Sequence, residues 1–250
     1  NLMKDIQKEG ISIGDLIKVM QKIQKEKKER NEEDYVTMND LIKIMQVIQR
    51  EEDLAQEEKD LELVKESALN LIHVKKQTEE ICLEAVSKHG QILEFVEDKY
   101  QTERVCLEAV RQNGLSIKYV KNPSEKICLE AIKENAYALS CIENQTEEMC
   151  LKAVRQNGHT LGCVKNQTEE ICLEAVKQNG YAVKYVKDQT EGICLEAVKQ
   201  NGLAVKYVEN KTMEICVEAG KENFDALIYV KDLPEEMHEE VFLRVKGYRS

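Results

Sequence analysis

The side chains with the most chemical potential in these 250 residues are nine cysteines and four histidines. Seven cysteines fall at 82, 106, 128, 150, 172, 194 and 216, spaced by 22 after one interval of 24. Thiolate metal sites commonly come as CxxC pairs, and no such pair occurs; no His is read as a ligand beside a cysteine. Each periodic Cys stands inside an apolar phrase such as Ile171-Cys172-Leu173-Glu174-Ala175-Val176, where a free thiol acts as a small buried hydrophobe. Equivalent positions on stacked helices lie about 8–10 Å apart, beyond the ~7 Å Cα separation that a disulfide spans. Cys141 and Cys163 belong to a different column, shared with Tyr119, Tyr185, Tyr207 and Tyr229. Unpaired thiols in an odd number predict a reducing, cytoplasmic setting.

The remaining chemistry is equally plain. His73, His89, His159 and His238 are scattered, and none stands at a recognisable spacing from a nucleophile. Glu84, Glu108, Glu130, Glu174, Glu196 and Glu218 recur as a column, which reads as a solvated helix face with Lys or Arg three residues on. Three sequons, at Asn144, Asn166 and Asn210, each mark the turn into a helix, where the Thr is explained as an N-cap. There is no phosphate-cradling Gly-rich loop and no nucleophile elbow. No catalytic, cofactor-binding or metal-ligating residue is therefore expected, and the chain is read as a non-enzyme.

Charged residues make up 33% of the chain and aromatics 5%, with no Trp and two Pro. So few turn-formers disfavour an all-β fold and favour helices. A net charge of −11 with no basic segment argues against nucleic acid and anionic membranes as partners. No run approaches the 18 or so apolar residues of a membrane span. The chain opens on Asn, without a signal-peptide pattern.

What must position these side chains is a repeat. The unit is clearest in Gln167 to Asp188, QTEEICLEAVKQNGYAVKYVKD. Thr168 is the N-cap candidate, and Glu169 and Glu170 suit the positive end of the helix dipole. Ile171, Cys172, Ala175 and Val176 make the buried stripe. Asn179-Gly180 then stops the helix, Gly being expected there for its tolerance of the left-handed conformation. A second segment, Tyr181 to Val186, has apolar positions at i, i+1 and i+4 and is read as a short helix, with a strand as its rival. Single pairs cannot bury their apolar face, so they must stack. The expected fold is all-α: an α-solenoid of two-helix 22-residue repeats with a helical N-terminal hairpin.

Its parts are a hairpin at 1–56, a degenerate first copy at 57–76, seven repeats at 77–232 and a C-terminal cap at 233–250. The hairpin reading rests on Ser12 to Gln24 echoing Thr37 to Gln49 at an offset of 25. It is a candidate surface for self-assembly.

Most columns scarcely change between copies. The position after the Gly does, aligned as Gln91, Leu115, Tyr137, His159, Tyr181, Leu203 and Phe224; the column of Glu94, Lys118, Ser140, Gly162, Lys184, Lys206 and Ile228 varies too. Columns that stacking leaves free are either solvent positions, packing between second helices, or the surface that reads a partner. Large apolar and aromatic groups there are the usual interface anchors. With Tyr185 and Tyr207, these residues from Leu115 to Phe224 are the candidate partner-binding set.

The phrase EICLEAVKQNGYAVKYVK, repeated end to end, resembles a family of short helical repeats catalogued as a domain of unknown function. That family is abundant in giant DNA viruses of amoebae and occurs in some intracellular bacteria. The resemblance covers about residues 57–245. It implies a non-enzymatic repeat array of viral or effector type that binds another protein, or alternatively a structural component of a viral particle. A nucleic-acid-associated repeat is a further alternative, against which the acidic charge speaks.

Overall fold

The computed structural model describes residues 38–230 and 234–249, together with Gln21 and Lys25, both helical. The chain divides into two compact units, Asn1–Asp60 and Leu61–Ser250. The first arm of the expected hairpin lies almost wholly outside the described residues. Its second arm falls on helix α1, Met38–Glu66. This helix passes the expected boundary at 56 without a break and takes in the Leu61-Glu62-Leu63-Val64-Lys65 frame of the degenerate copy. Gln49 and Gln56 donate to Asp53 and Asp60 one turn on, at 3.0 and 2.8 Å.

From Leu61 on, the unit is an array of α-helices, each followed by a six-residue 3₁₀ helix, with no strand among the described residues. The α-helices are α2 Glu79–Lys88, α3 Glu103–Gln112, α4 Glu125–Glu134, α5 Glu147–Gln156, α6 Glu169–Gln178, α7 Glu191–Gln200 and α8 Met213–Glu222. A longer α9, Glu235–Arg249, closes the array. The expected helical solenoid is what the chain forms. Asp98–Tyr100, which lengthens the first repeat by its extra residues, forms a short 3₁₀ turn.

The local chemistry repeats with the sequence. Thr168 Oγ1 accepts from Ile171 N at 3.3 Å, and Thr78, Thr102, Ser124, Thr146, Thr190 and Thr212 cap their helices in the same way. Ile171, Cys172, Ala175 and Val176 are buried. The helix ends when Asn179, in an extended conformation, donates its N–H to Ala175 O at 2.9 Å. Its side-chain Oδ1 then accepts from Tyr181 N at 3.0 Å and starts the next element.

That element, Gly180–Tyr185, is a short helix as read and not the rival strand, and its helix is of the 3₁₀ type. Ala182 N donates to Asn179 O and Val186 N to Val183 O, at 2.8 and 3.1 Å. Three residues per turn put Gly180, Val183 and Val186 on one inward ridge, and Tyr181 and Lys184 together on an outward one. Six residues then span about 12 Å instead of about 9 Å for an α-helix, which better matches the ten-residue partner helix they must return along.

Gly180 does not adopt a left-handed conformation, and neither do its equivalents Gly90, Gly114, Gly158 and Gly202. The expected reason for glycine is thus corrected. A Cβ on Gly180 would lie 2.4 Å from Ala197 O of the next repeat, and the equivalents meet Ala109, Ala131, Ala175 and Ala219 O at 2.2–2.4 Å. Glycine suits the place because the backbone of one repeat rests on the last carbonyls of the next helix, which a Cβ would crowd. Gly180 N–H also donates to Gln200 Oε1 at 2.5 Å. The third repeat has Ala136 at this place, and there Gln156 bonds Lys133 O at 3.2 Å without reaching the Ala136 N–H. Gly180→Ala is accordingly expected to lower stability by about 2 kcal/mol. Gly192→Ala, with open space around its Cβ, should raise it by about 0.5 kcal/mol. Urea unfolding of the two variants checks the pair; equal and small effects would contradict the contact.

Two glutamine columns bind successive repeats. Gln167 Nε2 donates to Leu161 O of the preceding 3₁₀ helix and to Tyr185 O of its own, at 3.4 and 2.8 Å. Its Oε1 accepts from Lys187 N at 3.0 Å and from the Cys172 thiol at 3.7 Å. Gln145 and Gln189 do the same. Pro123 replaces this Gln in the third repeat, and the slot beside it is a groove of about 660 Å³ lined by Cys128, Cys141 and Ile142 among others.

Candidate partner-binding face

The two chemically suggestive columns are structural. The seven periodic cysteines are buried, and all nine cysteines are free thiols. They are more than hydrophobes, since Cys82, Cys150, Cys172 and Cys194 each donate to the Oε1 of the Gln five residues earlier, at 3.6–3.8 Å. Burial pushes the Cys82 thiol up to about 12 and those of Cys106 and Cys216 to about 11. Thiols so hard to ionise are poor nucleophiles. The glutamate column reaches across the repeat junction as well as along its helix. Arg155 Nε donates to Glu174 Oε2 at 2.7 Å, and Lys177 lies 3.6 Å from the same carboxylate. Arg155 holds the Glu174 carboxyl below the usual carboxylate range, as Lys133 and Arg111 do for Glu130. Among the described residues no three His, Cys, Asp or Glu side chains converge at metal-holding distance. No helix among them is long and apolar enough to cross a membrane.

The candidate residues come together on the row of 3₁₀ helices. Leu115, Tyr137, His159, Tyr181 and Leu203 are each the second residue of their 3₁₀ helix, and Tyr185 and Tyr207 each the last. The two columns meet across the junction between repeats. His159 packs edge-on against Tyr185 with ring centroids 5.9 Å apart, and Tyr181 against Tyr207 at 6.0 Å. Asn179 Nδ2 lies 3.3 Å from His159 Nε2, so this His is a packing group. The residues of the variable column pack on the next repeat while one side stays in solvent. Tyr137 is 44% exposed, Tyr207 37%, and Leu115, His159, Tyr181 and Leu203 are half-buried.

Phe224 does not belong to this row. It is the first residue of its 3₁₀ helix, Phe224–Tyr229, and so occupies the glycine column; Asp225 is the true equivalent of Tyr181. A large residue fits because α9, not another repeat, follows. Phe224 packs on Phe242 of α9, with ring centroids 5.9 Å apart. The alignment slipped by one because the last repeat lacks Gly there, leaving the sequence without its marker.

Sequence reasoning noted the lysine column as variable but left it out of the site. Lys184 Nζ lies 4.7 Å from the Tyr185 ring centroid and 6.0 Å from that of Tyr207. Lys206 Nζ lies 5.5 Å from Tyr207 and 5.6 Å from Tyr229. Lys118 sits over Tyr119 at 4.5 Å. The lysine's position three residues after Tyr181, one 3₁₀ turn on, is the signal that places it beside the tyrosines. In the third and fourth repeats both columns shrink to Ser140-Cys141 and Gly162-Cys163, and the Tyr185 ring covers Gly162 at 3.1 Å from where its Cβ would be.

Residues 78–123 and 146–189 match a family described as a domain of unknown function (DUF4116). No curated protein and no solved structure matches the chain. Each matched segment covers about two of the repeats, and the chain is thus similar, in its helical repeats, to a repeat family of unknown function.

Proposed function

We propose that this chain is a non-enzymatic repeat scaffold that binds another protein through its 3₁₀ face. The observation that supports this most is the tyrosine–lysine strip. The glycines, alanines and periodic cysteines on which the repeats stack are inward, whereas Lys184, Tyr185, Lys206 and Tyr207 stay exposed in two adjoining repeats, as does Tyr137 in the third. Rigid aromatic groups on a regular, pre-ordered surface are good anchors because little side-chain entropy is lost when they are covered. A viral or effector origin goes with the resemblance of the repeat. A reducing, cytoplasmic setting goes with its unpaired thiols.

The second reading is a structural component of a viral assembly. It is favoured by α9, where Phe242, Leu243 and Tyr248 are 40%, 66% and 68% exposed on the terminal helix. An apolar outer face on a cap invites a further copy. Stoichiometry separates the two, since a structural part is abundant in purified particles.

A quantitative pull-down from cytosol tests the first reading, with wild type against Tyr137→Ala/Tyr181→Ala/Leu203→Ala at equal helicity. A partner enriched by wild type and reduced about tenfold or more by the variant is expected, because anchor residues each carry more than about 1 kcal/mol. Enrichment that survives the variant would move the binding surface elsewhere.

A further inference from the structure

We propose that the segment bound by the 3₁₀ face is an extended acidic peptide with carboxylates at every third residue, which meet Lys184 and Lys206. This rests on the scaffold reading above and specifies its partner. The chain as a whole carries a charge of −11. Yet the outward positions of the 3₁₀ helices in the fifth and sixth repeats are Tyr181, Lys184, Tyr185, Leu203, Lys206 and Tyr207, with no acid among them. A basic strip on an acidic molecule is a charge-selective surface, and it calls for negative charge in the partner.

The two lysines differ from those of the α-helices. Lys133, Lys177 and Lys221 pair with Glu130, Glu174 and Glu218 one turn back. Lys184 and Lys206 form no ion pair among the described residues, and each lies between the rings of two successive repeats. The rings orient the ammonium and displace part of its water while leaving N–H donors exposed. A carboxylate arriving there meets a cation already positioned and partly desolvated, so less is lost on pairing.

Spacing selects the peptide. Neighbouring repeats stand about 8–10 Å apart, and an extended chain advances about 3.3 Å per residue. Carboxylates three residues apart therefore reach successive lysines, and an apolar residue between them falls against Tyr181 and Leu203. A nucleic-acid strand would need many cations to offset its phosphates and would be repelled by the acidic remainder of the molecule.

Fluorescence anisotropy with the full chain tests this, using a labelled peptide with Glu at every third position and Leu between. A peptide of the same composition with its Glu residues in one block, and a single-stranded oligothymidylate, are the comparison probes. The periodic peptide should bind best and weaken as salt is added. Lys184→Glu/Lys206→Glu should weaken it about tenfold or more. Lys152→Glu should leave it unchanged; it lies in the helix column where other repeats carry Glu. Unchanged helicity of each variant is checked by circular dichroism. Equal binding of the block peptide, tighter binding of the oligonucleotide, indifference to the double reversal, or no binding by wild type would each overturn the proposal. If the Tyr137/Tyr181/Leu203 variant loses a protein partner in the pull-down and the lysine reversal does not, the scaffold reading stands and the acidic peptide falls. If the aromatic variant loses nothing, both fall.

Discussion

Gln167→Ala is expected to lower the stability of the chain by about 3 kcal/mol. The amide bonds one carbonyl from each of the 3₁₀ helices on both sides of the junction, together with the Lys187 N–H and the Cys172 thiol. Removing it takes this partner from all four groups, of which those of Leu161 and Cys172 belong to buried residues, and the cost of leaving a buried group short of a partner exceeds the net worth of its bond. Asn166→Ala changes the adjacent residue, which is exposed, and should move stability by less than about 0.5 kcal/mol. Urea unfolding followed by circular dichroism compares the two. A midpoint for Gln167→Ala no lower than that for Asn166→Ala would remove the amide column from the account of stacking. Because Cys172 donates to the same amide, adding Cys172→Ala to Gln167→Ala should cost less than it does in wild type.

The second large effect is alkaline instability. Burial raises the pKa of all seven periodic thiols, with Cys82 reaching about 12 and Cys106 and Cys216 about 11. In the unfolded chain a thiol titrates near about 8.5. Below that value both states hold the proton and the full contribution to stability is present. Above it the unfolded state has lost a proton that the folded state keeps, so stability falls as pH rises, until the folded thiol itself ionises. Each such thiol contributes a slope of about −1.4 kcal/mol per pH unit. Cys82 alone withdraws about 4 kcal/mol by about pH 12. The urea midpoint should therefore drop steeply between about pH 8.5 and pH 10, and thiolate absorbance should rise together with loss of helicity. Cys82→Ala should make the slope shallower by one thiol. A midpoint flat across this interval would mean that the thiols are not held from water as described. The same burial keeps the seven periodic thiols protonated near neutral pH.

Much of this architecture was legible in one dimension because a repeat shows its own constraints. The capping Thr, the Ile171-Cys172 stripe and the position of the second element follow from local hydrogen bonding and burial, which depend on near neighbours in the chain. What resisted reading lay between repeats. Gly180 looked like a helix stop, but what it meets is Ala197 O, seventeen residues on. Gln167 stands beside an N-cap with nothing local to mark it, and its partners lie six residues before it and eighteen after. The second element reads as a short helix, but its apolar residues satisfy either helical period, and only the return length chose the 3₁₀ form. Phe224 was misplaced because the alignment leaned on a glycine that the last repeat does not need.

The candidate face divides in the same way. The sequence by itself determined that the chain is a helical repeat array, which columns are buried, and that Tyr181, Leu203 and their equivalents are free to vary. Those properties are set by periodicity and side-chain type. Only the tertiary structure decided that Lys184 stands between Tyr185 and Tyr207, that Phe224 serves the cap, and that a basic strip exists on an acidic chain. These depend on which side chains meet across a stacking junction, and stacking brings together residues about one repeat apart whose contact no local pattern encodes.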